Sequence, residues 1–110
     1  MSSLQYIHLI KIIALQKMQF GHDKHGQFDP ILDEQNLICE GKEETADSYN
    51  YANMEAQKVL FKSLPTKEME ELLQLLDNIA SASLLLGVQW CEYEAALNER
   101  MGTDAISKTD

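Results

Sequence analysis

Residues 67–101 carry the most regular hydrophobic pattern in the chain, with apolar side chains recurring at alternating steps of four and three residues. This spacing puts them on one stripe of an α-helix, and a seven-residue repeat is typical of helices that pack along a seam. We therefore predict a long C-terminal helix, ended by Gly102, with a close helix crossing or a bend at Gly87. The predicted seam consists of Leu72, Leu76, Ile79, Ser83, Leu86, Trp90, Tyr93 and Leu97.

A break precedes this helix at Leu64-Pro65-Thr66, because proline removes a helical hydrogen-bond donor and restricts the residue before it. The segment before the break predicts another helix, which begins near the acidic residues Glu43, Glu44 and Asp47 and runs to about Ser63. Its apolar stripe consists of Tyr49, Ala52, Ala56, Leu60 and Leu64, with a second apolar edge at Tyr51, Met54 and Phe61. The two helices should form a tight hairpin.

The N-terminal residues 4–20 are apolar except for a narrow polar stripe, which predicts a helix buried on most sides. Ser3 is the expected N-terminal cap and Gly21 the expected end. The β-branched pair Ile12-Ile13 leaves a strand over residues 6–13 as the alternative. Residues 21–29 should form a loop, and Asp29-Pro30 should open a short helix that stops near Gly41.

These elements predict an all-α protein, a helical hairpin or small bundle with one long C-terminal helix. We expect a single domain over residues 1–102 and a flexible tail over residues 103–110. The short elements available cannot bury both the seam and the small-residue face of the long helix, so we also expect a homodimer.

The net charge of −9 is the most unusual feature of the composition, with 18 acidic residues against nine basic ones. Residues 1–30 contribute +1, so residues 31–110 carry −10. Nucleic-acid binding depends on lysine and arginine neutralising phosphates, so direct binding of nucleic acid is not expected. An anionic surface is instead attracted to basic protein surfaces, although such a charge can also serve only to keep a protein soluble.

Cys39 and Cys91 stand 52 positions apart without a CxxC pattern, and we expect both to be reduced, buried thiols. The first 20 residues lack the features of a secretory signal, and the longest apolar run, residues 79–88, is too short to cross a bilayer. The sequence therefore predicts a cytoplasmic protein with no membrane partner.

Two clusters raise the question of metal chemistry. His22, Asp23, His25 and Asp29 could hold a transition metal, but a glycine-flanked loop promises no fixed geometry, and a solvated polar loop is the default. Residues 43–47, Glu-Glu-Thr-Ala-Asp, resemble the paired acids with which all-helical nucleoside triphosphate pyrophosphatases hold magnesium. The second acid pair that those enzymes need is not matched by Glu92 and Glu94. We expect neither catalytic residues nor a cofactor.

The remaining candidate surface is acidic. We expect a partner protein with a basic surface to bind a face built from Glu68, Glu70, Glu71, Asp77, Glu92, Glu94 and Glu99. Trp90, Tyr93 and Leu97 could anchor a partner, but a core position is favoured for them. In the alternative interpretation, the heptad seam makes an assembly dimer and the charge only confers solubility.

The segments Leu64-Pro65-Thr66-Lys67-Glu68 and Leu84-Leu85-Leu86-Gly87-Val88-Gln89-Trp90 resemble uncharacterised small helical proteins of Bacillota and their phages. In those proteins a glutamate- and leucine-rich hairpin ends in a glycine followed by an apolar residue, and the similarity covers about half of this chain. The resemblance implies a mobile-element context, in which small acidic proteins inhibit nucleic-acid-handling machinery, as several anti-CRISPR proteins do.

Overall fold

The computed structural model describes residues 1–26, Pro30 and residues 36–102, and within them it contains three helices and no strand. Helix α1 spans Ser3–His25, α2 spans Leu37–Leu60 and α3 spans Thr66–Met101. The all-α prediction and the long C-terminal helix are confirmed. Residues 6–13 are helical, so the alternative of a strand there is wrong. The predicted tail lies outside the described residues.

The chain divides into two compact units, residues 1–35 and residues 36–110. In the first unit, α1 begins with a reciprocal cap in which Ser2 and Gln5 exchange hydrogen bonds: Ser2 N donates to Gln5 Oε1 at 2.6 Å, and Gln5 N donates to Ser2 Oγ at 3.2 Å. The helix continues past Gly21, contrary to the prediction, and ends at His25 before Gly26, whose φ is +87°.

Every residue from Met1 to Phe20 is exposed, including the large apolar residues Leu4, Ile7, Ile10, Leu15 and Phe20. The prediction of a helix buried on most sides is therefore wrong for this chain by itself. Apolar side chains lie on nearly all sides of α1. This distribution is typical of a helix that is covered by other helices.

The second unit begins with the cap of α2, where Asn36 Oδ1 accepts a hydrogen bond of 3.1 Å from Cys39 N. The predicted break near Gly41 is wrong, because α2 passes through this glycine without interruption. The helix ends at Leu60, three residues before the expected position, and the Phe61 N–H bonds back to the Lys58 and Val59 carbonyls.

A short connection, residues 61–65, leads into α3, and Met69 N donates to Pro65 O in the first turn. Proline suits this position because the first N–H groups of a helix have no partner within it. The helix runs unbroken through Gly87 to Met101, about 54 Å at ~1.5 Å per residue. As predicted, Gly102 ends it, with a φ of +83° and an N–H that donates to Asn98 O.

Helices α2 and α3 lie side by side as an antiparallel hairpin, because Thr45 lies near Gly87 and Gly41 near Trp90. The hairpin core is thin. The only apolar residues classed as buried among those described are Ala52, Val59 and Ala80, and no large side chain there is fully buried. Two helices provide too little covered surface to enclose large side chains from every direction.

Candidate interaction surfaces of the helical hairpin

The contact between α2 and α3 is built largely from small side chains, which lets the two helices approach closely. On α3 the buried and half-buried positions recur at steps of four and three residues. We call this set the α3 seam, and it consists of Met69, Leu73, Leu76, Ala80, Ser83, Gly87, Trp90, Glu94 and Leu97. The facing positions of α2 include Gly41, Thr45, Ser48, Ala52, Ala56 and Val59.

Hydrogen bonds and close approaches lock this seam. Ser83 Oγ lies 2.9 Å from both Ser48 Oγ on α2 and the Ile79 carbonyl oxygen. A Cβ atom on Gly87 would lie 3.3 Å from Thr45 Oγ1, so the predicted close crossing at Gly87 is confirmed. Small residues at a helix crossing bury less apolar area, but they allow a shorter distance between the two helix axes. The seam therefore fixes the alignment of the helices while burying little apolar surface.

Trp90 lies flat enough against α2 to require a glycine there. A Cβ atom on Gly41 would come within 2.5 Å of Trp90 Cζ2 and 2.9 Å of Cδ2. The Trp90 ring also meets the Tyr93 ring edge to face, with centroids 6.4 Å apart and an interplanar angle of 87°. Trp90 is half-buried, whereas Tyr93 remains 54% exposed. The tryptophan is thus a packing residue of the hairpin.

One ion pair crosses the seam near the N-terminal end of α2. Lys42 Nζ donates to Glu94 Oε1 at 2.5 Å, and the two side chains are 34% and 15% exposed. The second oxygen of Glu94 and Asn98 Oδ1, one turn further on, are buried without a hydrogen-bond partner in the described part of the chain. The sequence predicts Glu94 on the exposed acidic face, but its location is the interior of the hairpin.

The predicted seam matches the α3 seam at only half of its positions. Leu76, Ser83, Trp90 and Leu97 face α2, whereas Leu72, Ile79, Leu86 and Tyr93 are exposed. The prediction favoured large apolar side chains for the seam. In the structure Ala80 and Gly87 lie in the contact with α2, because small residues permit a closer approach of the helices. The four exposed residues belong to a different stripe of the same helix.

That second stripe also follows steps of four and three, and each of its members except the last, Arg100, immediately precedes a residue of the α3 seam. One residue corresponds to a rotation of about 100° around the helix, so this stripe lies beside the seam. We call it the α3 ridge, and it consists of Glu68, Leu72, Leu75, Ile79, Ala82, Leu86, Gln89, Tyr93, Ala96 and Arg100. Between its charged ends the ridge carries no charged residue; Ala96 is half-buried and the other nine positions are exposed.

The outward side of α3 carries three of the acidic residues. Glu71, Glu92 and Glu99 are spaced at multiples of seven together with Asn78 and Leu85, half a turn from the seam, and all five are exposed. We call these five positions the outer line. The predicted partner-binding residues Glu68, Glu70 and Asp77 are exposed too, at other angles around the helix. Six of the seven predicted acids are thus accessible.

Two open grooves flank the hairpin contact. The first, beside the α3 ridge, is lined by Glu44, Ser48, Tyr51, Leu76 and Ile79, among others. The second, on the opposite side, is lined by Thr45, Val88, Glu92, Ala95 and the exposed thiol of Cys91, together with Lys42 and Gly87. Both cysteines are thiols rather than halves of a disulfide, but Cys91 is exposed and Cys39 only half-buried, so the expectation of two buried thiols is wrong.

The candidate metal clusters do not form a metal site where they are described. Within the described residues there is no group of three or more histidine, cysteine or acidic side chains close enough to hold an ion. Glu43 and Glu44 are exposed in the interior of α2, not at a helix start, and Cys39 Sγ donates to Glu43 Oε1 at 3.6 Å. The side chains of the His22–Asp29 cluster lie outside the described residues.

Among the described residues, α3 is the one helix that is long and apolar enough to cross a membrane, because an 18-residue stretch of it has a mean hydropathy of 1.3. Only 11% of that stretch is buried. Core helices of soluble proteins meet the same criterion, so it adds little to the question of a membrane. It does show how much apolar surface α3 presents outside the hairpin contact.

In comparisons with known proteins, no protein-family model, curated protein or solved structure matches the chain. The conclusions about function therefore rest on the surfaces described above.

Proposed function

We propose that this chain is a non-catalytic protein-binding module that docks its acidic α3 surface on a basic surface of another protein. The observation that supports the proposal is the outer line, where Glu71, Glu92 and Glu99 are all exposed. Helix α3 carries seven acidic residues against Lys67 and Arg100, and only Glu94 has its charge matched across the seam. The other carboxylates of α3 remain available to cations of a partner.

The strongest basic surfaces in a cell are those that bind nucleic acids, so the partner class that fits is a nucleic-acid-handling protein. Binding there would block access of the nucleic acid by occupancy. The resemblance to small phage-associated helical proteins suggests a mobile-element context, in which such an inhibitor would be anti-CRISPR-like. The proposal needs neither a cofactor nor direct contact with nucleic acid, and it places the protein in the cytoplasm.

The test uses the tagged full-length chain to capture proteins from a bacterial lysate, followed by elution with duplex DNA and identification by mass spectrometry. We expect a basic protein that DNA releases, and that high salt weakens, because charges are screened over about 8 Å at physiological ionic strength. Reversal of Glu71, Glu92 and Glu99 to lysine should abolish its capture.

The matched control reverses Glu43, Asp47 and Glu55, which are three exposed acids of α2, and changes the net charge by the same amount. We expect this control to retain the partner. If both variants lose the partner equally, net charge rather than the outer line explains the binding. If both variants retain the partner, docking through the outer line is contradicted.

A second candidate function is assembly, and the exposed α3 ridge favours it. Leu75 is 60% exposed, Ile79 47% and Leu86 49%, although all three are large apolar side chains. Contiguous apolar surface of this kind marks sites of association in soluble proteins. Because the ridge and the outer line are different sides of α3, assembly and docking could coexist.

A further inference from the structure

We infer that the α3 ridge binds the same ridge of a second copy in antiparallel orientation, which completes a four-helix bundle. This inference rests on the second candidate function, assembly, and specifies its partner and its register. The position of the ridge supports it first. Each helix of a four-helix bundle contacts two neighbours at roughly a right angle, and the ridge lies about 100° around α3 from the seam that α2 covers.

The composition of the ridge distinguishes it from the other flank of the seam. The residues that immediately follow the seam positions include Glu70 and Asp77, which would bring charge into a helix contact. The ridge is uncharged from Leu72 to Ala96. Burial of a carboxylate without a partner is costly, so a helix packs more favourably on the ridge side.

The symmetry of the ridge supports a second copy as the occupant. Its ten positions map onto themselves when the helix is reversed about residue 84. Glu68 then faces Arg100 of the second copy, Leu72 faces Ala96, Leu75 faces Tyr93, Ile79 faces Gln89, and Ala82 faces Leu86. A two-fold axis requires such a self-complementary patch, because the same surface is used by both subunits.

The pairing also matches size and charge. Leu72 and Leu86 each meet an alanine, so at these two positions a large side chain can pack against a small one. At each end of the ridge an acid faces a base, Glu68 against Arg100, and both residues are exposed. A parallel arrangement would instead place Glu68 against Glu68 and Arg100 against Arg100. Like charges oppose that orientation.

The test compares two leucines that differ in position but hardly in exposure. Leu75, 60% exposed, lies on the ridge, and Leu85, 61% exposed, lies on the outer line. We expect the full-length wild type to sediment as a dimer in analytical ultracentrifugation, Leu75→Glu as a monomer and Leu85→Glu as a dimer. Circular dichroism of each variant shows whether the helices persist, which separates dissociation from unfolding.

The charges at the ridge ends test the orientation. We expect Glu68→Arg to weaken dimerisation by about tenfold, since two exposed ion pairs become repulsive contacts. The double variant Glu68→Arg/Arg100→Glu should restore it, because the pair is re-formed with the charges exchanged. A parallel dimer would show neither the loss nor the recovery.

The outcomes separate the two claims. A monomeric wild type removes the assembly function itself. A dimer that survives Leu75→Glu, or that Leu85→Glu dissociates, keeps assembly but overturns the ridge as its interface. The third outcome concerns the register. If the dimer depends on Leu75 but exchanging the charges of Glu68 and Arg100 does not restore its affinity, the antiparallel register is wrong.

Discussion

Gly41 shows how much a single residue decides in a thin core. The Trp90 indole occupies the space of a side chain at this position, so a methyl group there must displace a rigid ring. We expect Gly41→Ala to destabilise the hairpin by about 1–3 kcal/mol through overpacking, although alanine is the better helix former. Chemical denaturation followed by circular dichroism and Trp90 fluorescence measures the loss.

The control for this substitution is Gly21→Ala, because Gly21 is also inside a helix but has open space where the alanine methyl group would stand. It should leave the stability unchanged or raise it by up to about 1 kcal/mol. A Gly41→Ala protein as stable as the Gly21→Ala protein would show that Trp90 has another place to pack.

The Lys42–Glu94 pair gives a second prediction at this scale. Lys42→Met removes the cation that pairs with Glu94 Oε1. Because Glu94 Oε2 already has no hydrogen-bond partner among the described residues, the half-buried carboxylate then loses its one ion pair. We expect a loss of roughly 1–3 kcal/mol, the cost of an uncompensated buried polar group. Replacing both residues, as Lys42→Met/Glu94→Leu, should recover much of that loss, since apolar pairs often substitute well for partly buried ion pairs.

Thermal and urea unfolding of the single and double variants checks this order of stability. If the double variant is less stable than Lys42→Met alone, the Glu94 carboxylate itself contributes to the hairpin in some way other than its pairing with Lys42.

Residue-level expectations from the sequence failed where a residue's role depends on the facing helix. Glycine is a common helix terminator, so Gly41 predicted an end, yet here it accommodates Trp90 from 49 positions further along the chain. Glutamate is seldom buried, so a surface position is the natural expectation for Glu94. Its partner Lys42 lies 52 positions away in the sequence, and no local pattern indicates the pairing.

At the scale of the elements, the position of the seam predicts that substituting two nearby serines of α3 will have very different effects on stability. Ser83 is buried against Ser48, whereas Ser81 is exposed. Ser83→Leu should separate α2 from α3 and destabilise the hairpin by about 1–3 kcal/mol. Ser81→Leu, the same change on the solvent side, should alter stability by no more than about 0.5 kcal/mol.

Guanidinium unfolding curves for the two leucine variants provide the comparison. Equal stability would mean that the hairpin repacks around a larger side chain, and the close approach of the helices would not be what stabilises it.

The elements themselves were largely predictable, because helix periodicity and the Pro65 break are local signals. Thus α3, its end at Gly102 and the hairpin follow from the sequence. The choice of contact stripe does not, since α3 carries two adjacent stripes with the same four-three spacing. Hydrophobicity ranks the ridge higher, and only the small facing residues of α2 select the other stripe.

For the whole molecule, the thin core links stability to association. If the ridge pairs with a second copy, the folded state is stabilised by mass action, and the unfolding midpoint depends on protein concentration. We expect the midpoint to rise by about 3 °C for each tenfold increase in concentration, given the unfolding enthalpy usual for a dimer of this size.

Differential scanning calorimetry across a concentration series measures this slope. Leu75→Glu should give a midpoint that is lower and independent of concentration, whereas Leu85→Glu should follow the wild type. A flat series for the wild type would contradict the link between the ridge and stability.

The contact between Gly41 and Trp90 also bears on how the hairpin finds its structure during folding. If α2 slid by one heptad along α3, Ser48 would stand where Gly41 now faces the indole, and the side chain would collide with the ring. Repetitive helices have many near-equivalent alignments, which compete as kinetic traps. A bulky ring matched to one glycine disfavours that shifted alignment, so this contact helps the folding chain to select a single register.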